Sequence, residues 1–122
     1  MINLLVTGSS GQLGQCLKQL LLSATDISCY FAAREDLDIT NSDELQRFFS
    51  DRNFDYCINT AAYTNVEKAE SEQKEAFLIN AEGAYSLAKA CKKHNVVLLH
   101  ISTDYVFDGM AKTPYQEQDP TN

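Results

Sequence analysis

A short apolar run, Ile2 to Val6, leads into the stretch VTGSSGQLGQ, in which Gly8, Gly11 and Gly14 stand three residues apart. Leu13, Leu17, Leu20 and Leu21 then recur at helical spacing. A buried strand, a glycine turn and a helix in that order restrict the fold more than any other feature of the chain. In such a unit the first glycine permits the tight turn. The second lets backbone approach a pyrophosphate, and the third lets the helix pack close to the strand. The helix N-terminus adds free N–H groups and a positive partial charge. A tight strand–helix connection with no ligand is the plainer alternative, but position, spacing and context together favour a phosphate floor. The G-x-x-G-x-x-G spacing, in place of G-x-G-x-x-G, points to one branch of the dinucleotide-binding folds.

The remainder of the chain repeats the alternation. Ile27 to Ala32 reads as a second strand, and Asn41 with Glu44 as a capping box opening a helix with Leu45, Phe48 and Phe49 inside. Tyr56 to Asn59 reads as a third strand and Val96 to Ser102 as a fourth. Between them Glu67 to Lys93 reads as helix, in one or two pieces, with Phe77, Ala81, Ala84, Ala88 and Cys91 along its inner side. Asn80 falls on that side and is expected to be buried and hydrogen-bonded, and Gly83 to mark a close packing contact. The tail from Asp108 to Asn122 reads as loop. Strands alternating with helices imply an α/β fold, a doubly wound parallel sheet with helices on both faces. Near-continuous apolar strands are what such burial requires.

At 122 residues the chain suits one domain. Its formal net charge of −7 argues against nucleic acid or an anionic membrane surface as partner. Cys16, Cys29, Cys57 and Cys91 form no CxxC pair, and His94 and His100 are not spaced as metal ligands. The four cysteines read as buried, reduced thiols of a cytoplasmic protein. No metal site is expected. The N-terminus lacks the pattern of a secretory signal, and no stretch is long and apolar enough to span a bilayer.

About 20 residues past the glycines, an NAD site places an acid on the adenosine ribose. This sequence has Arg34 there, followed by Glu35 and Asp36. A guanidinium suits a 2′-phosphate, so NADPH is the expected cofactor, with NADH also accepted. Glu35 or Asp36 could instead pair with Arg34 or with a ribose.

Three further stretches complete a pattern: LDIT at Leu37 to Thr40, NTAAYTNVEKAE at Asn59 to Glu70, and STDYVFDG at Ser102 to Gly109. With TGSSGQLG they occur in the order of the extended short-chain dehydrogenase/reductases. Most closely they resemble the dTDP-4-dehydrorhamnose reductase family, whose N-terminal part the whole chain would match. The resemblance implies a Rossmann-like sheet with its first four strands in the order 3-2-1-4. It places Gly8, Gly11, Gln12, Leu13 and Gly14 at the pyrophosphate. It places Asp38 and Ile39 at the adenine, the acid accepting from an amino group and the aliphatic side chain covering the ring. Ala61, Ala62, Tyr63, Thr64 and Ser102 would line the cofactor. Thr103 would be the catalytic hydroxyl, binding the C4 carbonyl oxygen of a dTDP-keto sugar, with Asp104 a neighbouring substrate contact. His100 reads as a sheet histidine, not a base.

The same resemblance calls for a Tyr-x-x-x-Lys pair after the Ser-Thr strand. The one such spacing, Tyr85 to Lys89, comes before that strand and reads as an exposed helix face. Residues 1–122 are therefore expected to be an NAD(P)-binding Rossmann half without the general acid or the substrate domain. A missing general acid alone lowers rates by roughly 10²–10⁴. The expected parent activity is NADPH-dependent reduction of dTDP-4-dehydro-L-rhamnose to dTDP-L-rhamnose. The alternatives are a sugar-nucleotide epimerase or dehydratase of the same superfamily, and a non-catalytic NADP-binding regulatory subunit of methionine adenosyltransferase. The fourth strand is expected to be an open apolar edge through which copies associate.

Overall fold

A computed structural model describes all 122 residues. The elements run β1 (Ile2–Thr7), α1 (Gln12–Leu21), β2 (Ile27–Ala32), α2 (Ser42–Ser50), β3 (Tyr56–Asn59), α3 (Val66–Ser71), α4 (Gln73–Phe77), a π-helical turn (Leu78–Gly83), α5 (Ala84–Lys93) and β4 (Val97–His100), followed by a 3₁₀ turn (Asp104–Val106). All strand pairs are parallel, and the sheet order is β2-β1-β3-β4. The α/β, doubly wound class read from the alternation is the one found.

The expected order 3-2-1-4 and the observed one share a reversal at β1, which has β2 on one side and a later strand on the other. They differ in the place of Tyr56–Asn59, which lies beside β1 and not outside β2, with Leu4 opposite Tyr56 and Thr7 opposite Asn59. Polar bonds at both ends fix that register. The Asn3 N–H donates to Asp55 Oδ2 at 2.7 Å, and the Thr7 hydroxyl donates to Asn59 Oδ1 at 2.7 Å. Apolar periodicity identifies a buried strand but does not say which neighbour it takes.

The two directions of crossover put helices on opposite faces. Leu5 and Cys57 face α2 and α5, where Leu45, Phe48, Phe49, Leu87, Ala90 and Cys91 close the main core. Asn41 caps α2 as read, its side chain accepting from Glu44 N at 3.1 Å. Phe48, Phe49, Phe54 and Tyr30 form an aromatic cluster at one side, with the Arg52 guanidinium 4.1 Å from the Phe48 ring centre. The opposite face is covered by α1 only in part. Tyr56, Val97 and Leu99 remain 40%, 54% and 47% exposed there. In α1 itself Gly14 is the buried residue, and Leu20 points to solvent.

The long helical stretch departs from its expected inner face. The buried residues are Gly83, Leu87, Ala90 and Cys91, while Phe77 and Ala88 are exposed. The π turn inserts an extra residue per turn and rotates everything before it out of phase with α5. Of the cysteines, Cys57 and Cys91 are buried, Cys29 is partly so, and Cys16 is exposed, contrary to its reading as buried. The fourth strand stops at His100, two residues short of the Ser102 expected.

Leu45 has no exposed surface, and Leu20 is 71% exposed. Leu45→Ala should lower the free energy of unfolding by about 2–5 kcal/mol in urea titrations. Leu20→Ala should stay within about 0.5 kcal/mol of the parent.

Candidate functional site

The expected site residues follow β1, β2, β3 and β4, so they gather along the carboxyl edge of the sheet, where ligands of open α/β sheets bind. Gly8 makes the sharpest demand. Its φ is +69°, and a Cβ there would lie 2.5 Å from Ala61 N and 2.6 Å from Ala61 Cα. No other residue type meets both the left-handed backbone and the approach of the β3 turn. Gly14 is equally constrained, since a Cβ would lie 2.6 Å from Gly8 O and from Ser9 Cα. Gly11 differs. A Cβ on it would touch only Gly8 O, at 3.4 Å, so the space above it is open. Gly11 also caps α1 with no side chain over the end. The N–H groups of Gln12, Leu13 and Gly14 have no acceptor within the chain. Two glycines shape the turn and the third leaves an open shelf of donors, which is what a pyrophosphate needs.

Asn59 organises the neighbouring turn, a role that no local signal in the sequence marks. Its carboxamide is 1% exposed. Oδ1 accepts from Thr7 and from Ala61 N, at 2.7 and 3.1 Å, and Nδ2 donates to His100 Nδ1 at 3.0 Å. His100 is thereby an acceptor at Nδ1, so the neutral ring holds its proton on Nε2. It is a sheet-edge histidine with a structural partner. Thr60 adds a second tie, its hydroxyl donating to Thr7 O at 2.7 Å and Gly8 O at 3.1 Å. Ala61 is half-buried, and Ala62 and Thr64 are exposed.

Tyr63 is held at both ends. Its N–H donates to Asn80 Oδ1 at 2.7 Å, and its carbonyl accepts from Asn80 Nδ2 at 3.0 Å. Asn80 is thus hydrogen-bonded as expected but exposed, not buried. The Tyr63 phenol donates to Glu72, and that bond, with the nearby negative charge, pushes its pKa up to about 12.

Asp38 binds Thr40 twice through Oδ1, at 2.9 Å to the N–H and 2.7 Å to the hydroxyl. Partial burial acts to raise its pKa, but the Thr40 bonds and the charge of Arg34 outweigh this and hold it below the usual aspartate value. An ionised acceptor for an amino group is therefore in place. Ile39 corrects the expectation. Its side chain is 5% exposed and turns into the core, where its Cγ1 would lie 3.0 Å from a Cβ on Gly83. That side chain is not free to cover a ring, and the Ile39 N–H has no acceptor in the chain. Arg34 is exposed and pairs with Glu75, not with Glu35 or Asp36. Asp36 is committed to its own turn, accepting from Ala33 N at 2.9 Å.

Ser102, Thr103 and Asp104 follow β4 and are exposed. The Thr103 hydroxyl accepts from Tyr105 N at 3.2 Å and caps the 3₁₀ turn, with no bond to the other site residues. Tyr85 is 64% exposed, and the Lys89 ammonium lies 5.5 Å from its ring centre on the outer face of α5. That pair is a surface contact, as the sequence implied. No group of three or more His, Cys, Asp or Glu is placed to hold a metal ion.

The raised Tyr63 pKa has a pH consequence with a definite sign. The folded value, about 12, lies above the ordinary tyrosine value of 10.0. The Glu72 bond therefore contributes fully below pH 10 and is lost as pH rises through about 12. Absorbance titration of the phenolates should show a late step at about 12, and Glu72→Gln should remove it.

Comparison with known proteins places the chain in a family. Residues 2–122 match the family model described as RmlD substrate binding domain. The chain is 41% identical over 119 residues to a dTDP-4-dehydrorhamnose reductase of Aggregatibacter actinomycetemcomitans, and 38% identical over 120 residues to one of Sinorhizobium fredii. Each match takes in 98% of this chain and 40% of the relative. Among solved structures, a Clostridium acetobutylicum dTDP-4-dehydrorhamnose reductase superposes with a TM-score of 0.95 at 39% identity, covering 99% of this chain and 43% of that one. A Bacillus anthracis dTDP-4-dehydrorhamnose reductase in complex with NADP gives 0.94 at 36% identity, covering 100% and 44%. A UDP-glucose 4-epimerase from Bifidobacterium longum, 22% identical, shares the fold. The chain spans about two fifths of the length of the curated relatives it matches. From its second residue to its last, the chain belongs to the RmlD substrate binding domain family.

Proposed function

We propose that residues 1–122 form the NAD(P)-binding Rossmann half of a dTDP-4-dehydrorhamnose reductase, an oxidoreductase of nucleotide-sugar synthesis. The full activity in this reading is reduction of the C4 keto group of dTDP-4-dehydro-L-rhamnose to give dTDP-L-rhamnose. The observation that carries it is the shelf at Gly11, bounded by Gly8 and Gly14, which cannot bear side chains. The relatives named dTDP-4-dehydrorhamnose reductase, one of them holding NADP, supply the reaction class.

In this reading NADPH, with NADH as a second choice, supplies hydride when bound. The chain's own residues bind and orient. The N–H groups from Gln12 to Gly14 take the pyrophosphate. Asp38 and the Ile39 N–H take the adenine edge, and Arg34 the 2′-phosphate. The turn from Ala61 to Thr64, with Ser102, lines the dinucleotide. Thr103 donates a hydrogen bond from its hydroxyl to the sugar carbonyl oxygen, which holds the carbonyl and stabilises charge developing on it. Asp104 meets the sugar nucleotide. Proton delivery is not assigned to any residue here, because Tyr85 and Lys89 lie on the outer face of α5. These 122 residues alone therefore bind cofactor and do not turn over. A cytoplasmic location goes with this reading, since its cofactor and substrate are cytoplasmic metabolites. The net charge of −7 suits small-molecule partners better than nucleic acid. No helix is long and apolar enough to cross a membrane.

Calorimetric titration of the folded chain with NADPH and NADH tests the reading. Binding of NADPH, tighter than NADH, is expected and should fail in Gly11→Val, which fills the shelf. A folded chain that takes up neither cofactor would overturn it.

Self-association belongs to the same proposal. β4 is bonded only to β3, and Val97 and Leu99 in it and Ile101 just after it are each about half exposed. Such an edge invites pairing with a second copy. Sedimentation of the chain at rising concentration should show dimers or larger species, and Leu99→Lys should shift them toward monomer. A monomer at every concentration would refute it.

A further inference from the structure

The guanidinium of Arg34 does not stand free at the end of β2. Nη2 donates to Glu75 Oε1 at 3.3 Å. The pair is separated by 41 positions in sequence, so it ties the turn after β2 to α4 and is not a local accident of neighbouring charges. The side chains are 64% and 39% exposed, which leaves the contact open to exchange with a solute. The Asp38 carboxylate also lies within reach of the Arg34 charge. A dianionic phosphate arriving at Arg34 meets a cation already engaged and two carboxylates close by. A ribose hydroxyl at the same place meets no such competition.

We propose that Glu75 is a specificity-determining residue, an internal competitor for Arg34 that narrows the preference for a 2′-phosphorylated dinucleotide over the unphosphorylated one. This rests on the reading that the chain binds NAD(P) with its adenosine ribose beside Arg34. The phosphate of NADPH must take the guanidinium from Glu75 and then sit near the displaced carboxylate. NADH has no phosphate there, so Glu75 costs it nothing. Removing the Glu75 charge frees Arg34 and favours NADPH alone. The pair is exposed, so the effect is modest, about two- to fivefold, and falls with added salt.

The test is calorimetric titration of the full chain and its variants with both cofactors at low ionic strength. Glu75→Gln should tighten NADPH by about two- to fivefold and leave NADH unchanged. Arg34→Ala should weaken NADPH, and in that background Glu75→Gln should no longer raise the NADPH-to-NADH ratio. Glu67→Gln, which removes one charge from exposed α3, should leave the ratio at the parent value. An unchanged ratio in Glu75→Gln, or an equal change in Glu67→Gln, would overturn the inference while leaving the functional reading intact. A parent chain that binds neither cofactor would overturn the functional reading and this inference with it.

Discussion

The buried bond between Thr7 and Asn59 is the constraint on which the candidate site depends. It joins β1 to β3 at their carboxyl ends, both side chains 1% exposed. Loss of either partner would strand a polar group in the core at a cost of about 1–3 kcal/mol. With the strands joined there, the β3 turn has to pass over Gly8. Thr60 bonds the Gly8 carbonyl, and the Ala61 backbone comes so close that a Cβ on Gly8 would meet it at 2.5 Å. The first glycine of the motif is therefore demanded by β3 as much as by its own turn. The same Asn59 carboxamide fixes the Ala61 N–H and His100, so one side chain aligns the exits of β1, β3 and β4.

This explains how far the sequence could be read. The strand, glycine turn and helix were legible because each glycine answers a local steric demand. The cap at Asn41 and the apolar strands were legible because their signals lie within a few residues. What was not legible depends on partners far along the chain. Tyr56–Asn59 lies beside β1 because of Asp55 with Asn3 and Asn59 with Thr7, pairs 52 positions apart. Asn59 itself looked like the last residue of a strand. Arg34 had two acids next to it in sequence, yet its partner is Glu75, brought in by α4.

The helix phase failed for a different reason. A spacing rule assumes one period, and the π turn at Leu78–Gly83 changes it midway. Phe77 is 69% exposed and Leu87 wholly buried, although both belong to one continuous helical stretch. The turn has positive consequences. It puts Gly83 against Ile39, which draws that side chain inward, and Asn80 against the Tyr63 backbone. Two segments assigned to the cofactor are thus braced by one helical irregularity, the kind of distortion that recurs at functional sites.

Most of the candidate site is backbone and small side chains: the shelf at Gly11, the Ile39 N–H, Ala61 and Ala62. Such groups recognise what all nicotinamide dinucleotides share, and they cannot distinguish one from another. Discrimination has to come from charged side chains at the rim, and the two rim contacts that cross between elements lead to the same place. Arg34 bonds Glu75 within α4, and Tyr63 bonds Glu72 at the joint between α3 and α4. At that joint the backbone leaves helical geometry, with φ −110° and ψ 41° at Glu72. In the proposed reading the invariant part of the ligand would rest on the carboxyl edge of the β-sheet, and the variable part would meet acids on the α3–α4 segment. Changes there can retune cofactor preference without disturbing the floor that Thr7 and Asn59 hold in place.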